Sequence, residues 1–278
     1  MFDQELTTLL KTALTQYITP PLTIDPHVLA YRFDDGKLSP MAIHFNLTLD
    51  DLLGIDTQKE KLIKNTQAFL KNLPANHCLM TGARGVGKSS LIKALLNAYH
   101  KDGLRIIEIG REDLYYLPKI SQAIKSDNQY KYIVFCDDLA FNHQDESYRS
   151  LKSVLDGSLD NKDNLLIYAT SNRRHLLPQL MKDNVNIYNG QTDEVNPYEH
   201  IDETVSLSDR FGLWLSFYPL TQEEYLNIVK HYLKKADIEF NEEIKTEALR
   251  WTTQRGNKSG RLAQQFCKDF IGRYLLSI

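Results

Sequence analysis

Residues 77–100 limit what this chain can fold into more than any other stretch. Cys78, Leu79 and Met80 make a short apolar run, and Thr81 follows. The segment Gly82-Ala83-Arg84-Gly85-Val86-Gly87-Lys88-Ser89 then matches G-x-x-x-x-G-K-[ST] without departure. From Ser90 onward, Leu91, Ala94, Leu95 and Ala98 recur at three- and four-residue spacing, the pattern of an amphipathic helix. A strand, a glycine-rich turn and a helix in that order build a phosphate cradle. Glycines let backbone N–H groups curl around an anion, and Lys88 brings a positive charge to the β- and γ-phosphates. The Ser89 hydroxyl suits Mg²⁺, and Ser90 begins a helix whose first turn adds its positive dipole end. A nucleoside triphosphate held by residues 82–90 is the first expectation.

The rest of the chain supplies a sheet around that cradle. Residues 132–136 and 165–169 are continuous apolar runs, as strands of a parallel sheet covered on both faces must be, and the mostly apolar 104–109 and 213–218 read as further strands. Helical spacing separates them over residues 58–70, 112–125 (interrupted near Pro118) and 147–155. Beyond Pro219 only helices follow, at 222–236, 242–251 and 260–276. Strands alternating with helices, then helices alone, predict an α/β domain over residues 46–220 and a small α-helical domain over 221–278. Residues 1–17 carry amphipathic helical spacing, whereas 22–46 read as irregular; together residues 1–45 are expected to be a helix and packing arm. The polar stretch 183–206 reads as an exposed insertion or mobile loop.

Composition excludes several classes. With 33 Lys and Arg against 36 Asp and Glu, the net charge of −3 gives no global pull towards nucleic acid or anionic lipid. No apolar run approaches the roughly 18 residues of a membrane span, and the acidic start Met1-Phe2-Asp3-Gln4-Glu5 lacks the features of a signal peptide. No membrane partner is expected. Cys78, Cys136 and Cys267 are odd in number and widely spaced, which fits a reducing cytoplasm better than a disulfide framework. The guanine-reading N-K-x-D motif is missing, since Asn161-Lys162-Asp163-Asn164 has its acid one position early.

Four further positions carry chemistry. Asp137 ends a buried strand, where a carboxylate accepts from Mg²⁺-bound water, so Ser89 and Asp137 are the metal candidates. Asp138 orients and polarises the attacking water, although Asp reaches about 1.5 Å less far than Glu. Asn172, at the next strand end, has two readings: positioning that water, or capping the following helix. Arg210, just before the last strand, either reaches a neighbouring subunit's γ-phosphate or pairs within the chain with Asp209 or another acid. Arg261 starts the last helix, from which it folds back onto the phosphates or stays on the surface. The catalytic candidates are therefore Lys88, Asp138, Asn172, Arg210 and Arg261. A basic run of Arg250, Arg255, Lys258, Arg261, Lys268 and Arg273 offers nucleic acid a surface, or is a solvated helix face.

In this order the motifs resemble the AAA+ ATPases. Leu53-Gly54-Ile55-Asp56, Cys136-Asp137-Asp138-Leu139, residues 169–175 (Ala-Thr-Ser-Asn-Arg-Arg-His) and residues 208–214 (Ser-Asp-Arg-Phe-Gly-Leu-Trp) resemble, more closely, a bacterial AAA+-type ATP-binding family. That family is catalogued as a domain of unknown function, number eight hundred and fifteen, and the likeness covers roughly residues 45–275. It implies a five-stranded parallel sheet with the phosphate-loop strand central, a helical lid, ATP and Mg²⁺ at their junction, and assembly into a ring or filament. Carried over by position, Asn172 is sensor 1, Arg210 the finger acting in trans and Arg261 sensor 2. The Asp-Asp pair departs from the Asp-Glu of most AAA+ motors. The replication-initiator branch shares it, which implies slow hydrolysis and ATP used as an assembly switch. The alternative is a nucleotide-gated binding module with little hydrolysis. The expected partners are ATP, other copies of the chain, and a protein or nucleic-acid client. A small-molecule kinase would need a second pocket that the sequence does not reveal.

Overall fold

The computed structural model describes residues 22–125, 127, 129–141, 146–156, 164–172 and 207–276. The expected helix at 1–17 and the expected insertion at 183–206 lie outside these. Among the described residues seven strands form one sheet: β1 (Ala30–Asp34), β2 (Lys37–Pro40), β3 (Cys78–Gly82), β4 (Leu104–Ile109), β5 (Lys131–Cys136), β6 (Leu165–Ser171) and β7 (Leu213–Phe217). Their spatial order is β2-β1-β4-β5-β6-β3-β7, and every neighbouring pair is parallel except β1 with β2.

Alternation along each strand sorts side chains between two cores, because successive residues face opposite sides of a sheet. Tyr132, Val134 and Cys136 of β5, with Ile167 and Ala169 of β6, enter one core. Ile133, Phe135, Leu166 and Tyr168 enter the other. Helices α3 (Leu117–Ile124) and α4 (Glu146–Leu155) cover the first face. The second is covered by α1 (Asp56–Leu70) and α2 (Lys88–Tyr99), whose Leu62, Phe69, Leu91 and Leu95 point inward. Each such side chain contributes about 1.5–3 kcal/mol when fully buried. Pro118 does not interrupt a helix over 112–125 but starts one, at the first turn of α3 after a 3₁₀ turn over Arg111–Tyr116.

Two expectations about the sheet are corrected. Among the described residues it has seven strands instead of five, because residues 30–40 form a hairpin that adds β1 beside β4; this part of the chain is not an irregular arm. The phosphate-loop strand β3 is also not central. It lies next to the edge, between β6 and β7.

The C-terminal helices α5 (Gln222–Lys235), α6 (Glu242–Thr253) and α7 (Gly260–Leu276) close on a third core around Tyr225, Val229, Leu233, Ala248 and Phe266. Local chemistry sets their starts. Thr221 and Glu224 form a capping box on α5, with Glu224 accepting from the Thr221 N–H at 2.7 Å. Asn241 accepts from the Ile244 N–H on α6 at 2.9 Å, and Ser259 accepts from the Leu262 N–H on α7 at 3.3 Å.

Candidate functional site

The C-terminal ends of β3, β5 and β6 open onto a cavity of about 400 Å³ roofed by α5 and α7. Ligands of open α/β sheets bind at such strand ends. The loop between β3 and α2 forms its floor. Gly82, with φ +125°, touches the neighbouring strand so closely that a Cβ there would sit 1.9 Å from the Phe217 carbonyl oxygen, so only glycine fits. Gly85, with φ +75°, lies directly under the start of α7: its carbonyl accepts from the Arg261 N–H at 3.0 Å.

Lys88 is 7% exposed and has its ammonium held by the protein. It donates to the carbonyls of Gly82 and Ala83 at 2.8 Å each and to Asn172 Oδ1 at 3.2 Å. Burial pulls its pKa below the ordinary value. The carboxylates of Asp137 and Asp138 oppose that shift, and the Arg84 charge adds to it. Ser89 Oγ donates to Asp137 Oδ1 at 2.8 Å.

Thr170, 2% exposed on β6, fixes the acid pair. Its hydroxyl donates to Asp137 Oδ1 at 2.5 Å and accepts from the Asp138 N–H at 2.9 Å, while its carbonyl accepts from the Leu139 N–H at 2.6 Å. Held this way, Asp138 takes φ +55°, a left-handed conformation that few residues other than Gly, Asn and Asp adopt. Asp138 Oδ1 accepts from Asn172 Nδ2 at 2.5 Å, and its Oδ2 faces Arg84 at 3.8 Å. Asn172 therefore bridges Lys88 and Asp138; the segment that it could cap lies outside the described residues.

At the opposite end, Asp51 is 3% exposed. It accepts from His231 Nε2 at 2.7 Å and is ion-paired to Lys235, both on α5. Burial opposes its charge, but hydrogen bonds from Lys235, His231 and Thr48 outweigh burial and hold the carboxyl well below the usual range. Tyr232 on α5 and Gln264 on α7 share a 2.6 Å hydrogen bond in the same wall.

The cavity thus gathers Arg84, Gly85, Val86, Gly87, Lys88, Ser89, Ser90, Asp137, Asp138, Asn172 and Arg261. Gly82 and Ala83 stand behind it and hold Lys88. Arg210 does not line it. Within the chain, the Asp156 carboxylate accepts from Arg210 Nε. In the basic run, Arg273 is bound by Glu247 and Asp269, and Arg255 lies over the Trp251 ring at 3.7 Å. Sequence reasoning missed Thr170, Asp51, Tyr232 and Gln264. For Thr170 the signal was present: a polar residue continuing a buried strand, one step beyond the Cys136–Ala169 pairing that brings it to Asp137.

Among the described residues, no three His, Cys, Asp or Glu gather as a metal cage. One hydroxyl and one carboxylate fit a cation that keeps waters and shares phosphate oxygens, as Mg²⁺ does. Among the described residues no helix is long and apolar enough to cross a membrane.

Known structures share this architecture. AMPPCP-bound DnaA from Aquifex aeolicus is 18% identical, with a TM-score of 0.52, over 81% of this chain and 64% of that one. A point mutant of RuvB from Thermotoga maritima is 16% identical, with a TM-score of 0.49, over 80% of this chain and 64% of that one. This chain therefore spans just under two thirds of either protein's length. No curated protein matches it. The fold is that of an AAA+ P-loop NTPase. The family described as "Protein of unknown function (DUF815)" matches residues 26–274, nearly the whole chain, and the chain belongs to it.

Proposed function

We propose that this protein is a Mg²⁺-dependent ATPase that turns over slowly and uses ATP as a conformational or assembly switch. One observation carries the reading. Lys88, the Ser89–Asp137 pair and the Asn172–Asp138 pair converge on one cavity beneath the start of α7. The loop amides and Lys88 bind the phosphates. Ser89 and Asp137 hold Mg²⁺, which when bound supplies positive charge to the β- and γ-oxygens. Asp138 accepts a hydrogen bond from the attacking water, and Asn172 positions that water. Arg261 folds onto the phosphates from α7.

Slow turnover follows from the state of Asp138. It is short, and Asn172 already occupies one of its oxygens. In this reading residues 46–220, with the β1–β2 hairpin added to their sheet, are the nucleotide-binding unit and 221–278 its lid. Arg210 leaves Asp156 to reach the site of a second copy of the chain. The three cysteines, all free and buried, suit the cytoplasm. That the DnaA neighbour is AMPPCP-bound supports a nucleotide ligand.

The test is ATP turnover measured across protein concentrations for wild type, Lys88→Ala and Arg210→Ala. The proposal expects specific turnover that rises with concentration, is abolished by Lys88→Ala, and falls by about a thousandfold in Arg210→Ala. Turnover no higher than that of Lys88→Ala at every concentration would leave the nucleotide-gated binding module as the better reading. Turnover that is flat with concentration would confine Arg210 to its pair with Asp156.

A further inference from the structure

We infer that the Arg84 side chain distinguishes ATP from ADP: it leaves Asp138 for the γ-phosphate when ATP enters and stays on Asp138 when ADP does. This rests on the ATP reading above and assigns a role to a loop position whose side chain the G-x-x-x-x-G-K-[ST] pattern leaves open.

The geometry begins with Asp138. One of its oxygens takes the Asn172 amide at 2.5 Å; the other, among the described residues, faces the Arg84 guanidinium at 3.8 Å. At that distance the contact is a loose ion pair, and both partners are mostly in solvent, at 75% and 57% exposure. Such a pair is weak and exchangeable. A terminal phosphoryl group carries more charge than a carboxylate and offers the guanidinium fork two oxygens at once, so it outcompetes Asp138 for Arg84.

The surrounding charges make the transfer selective. Lys88 lies deep in the loop at 7% exposure, where Gly82, Ala83 and Asn172 hold its ammonium. Lys88 and the loop amides serve every nucleotide that has a β-phosphate. Arg84 lines the cavity beside Asp138 and is mostly in solvent; in this proposal it is the third phosphate that reaches it. Its departure uncovers Asp138 Oδ2, the oxygen that can then accept from water. The same movement thus reads the nucleotide and positions the acid. Without this role, Arg84 and Asp138 are only a solvent-exposed ion pair.

The full-length protein with Mg²⁺ is titrated with AMPPCP and with ADP, each competing against a fluorescent ADP, for wild type, Arg84→Gln and Arg84→Lys. The AMPPCP-over-ADP affinity ratio is expected to fall by about 10- to 100-fold in Arg84→Gln, almost wholly through AMPPCP. Arg84→Lys, which keeps the charge and loses the fork, is expected to lie between. Equal weakening of both nucleotides, or an unmoved ratio, would overturn the role of Arg84 and leave the ATP reading standing. Failure of wild type to bind either nucleotide would overturn both.

Discussion

At the phosphate end of the cavity, Asp138 is 57% exposed and shares its two oxygens between an amide and a loosely placed guanidinium. At the opposite end, Asp51 is 3% exposed and is gripped by His231 and Lys235 of α5. Both are aspartates in one cavity wall, yet solvent makes their pairs differ in kind. Exposed ion pairs are screened and cheap to exchange. A buried carboxylate must keep its partners, because losing one leaves a charge without solvent to stabilise it. The phosphate end is thus built to rearrange around an anion. The Asp51 end is built to tie the segment before α1 to the C-terminal helices.

The strongest way to break this contrast is to remove the buried partner. Asp51→Ala deletes an acceptor that serves His231, Lys235 and Thr48 at once. Because Lys235 remains 49% exposed, the loss belongs at the lower end of the range for breaking a buried pair, about 3 kcal/mol. A denaturant midpoint series would measure it. A loss below about 1 kcal/mol would make Asp51 no different from an exposed pair.

The same residue predicts a pH signature. Its folded pKa is depressed, so its stabilisation is complete above the unfolded carboxyl value of about 3.9 and fades as pH falls towards the folded one. The stability gap between wild type and Asp51→Asn should stay constant from about pH 5 to pH 8 and narrow below about pH 4. A gap that instead changes near neutrality would point to the histidine side of the pair.

At the phosphate end, the group that does not exchange is Thr170. Thr170→Val keeps the shape, but it removes the hydroxyl that binds Asp137 and the Asp138 N–H. The expected cost is about 1–2 kcal/mol in stability, together with weaker Mg²⁺-dependent nucleotide binding. Unchanged binding would mean that the Ser89–Asp137 contact orients the acid without help from β6.

What was legible in the sequence follows the same division. The phosphate loop, the acid pair and Asn172 could be read because each lies within a few residues of a strand end, and a parallel sheet brings its strand ends together. The β1–β2 hairpin was also written locally. Asp35-Gly36 sits between short runs, and both residues take positive φ, +43° and +79°, as a type I′ turn requires. It was missed because β1 has only Ala30, Tyr31 and Phe33 buried, a run too short to stand out. For Asp51 only the Thr48 contact was written locally; its ties to His231 and Lys235 span some 180 positions and left no local signal. The position of β3 beside the edge is a property of crossover connections, which apolar runs do not encode.

The smallest expected effect tests whether backbone shape at Asp138 is imposed by its neighbours. Asp138→Ala and Asp138→Gly both delete the carboxylate, its bond from Asn172 and its pairing with Arg84. They differ only in a Cβ at φ +55°. A left-handed residue with a Cβ costs about 1–2 kcal/mol, and glycine's greater freedom in the unfolded chain returns part of that. Asp138→Gly should therefore be more stable than Asp138→Ala by about 0.5–1 kcal/mol, read from thermal or denaturant unfolding. Equal stability would mean that the turn relaxes to an ordinary conformation once the carboxylate is gone. The left-handed geometry would then be held by Asn172 and Arg84 pulling on the side chain, and not by Thr170 gripping the backbone.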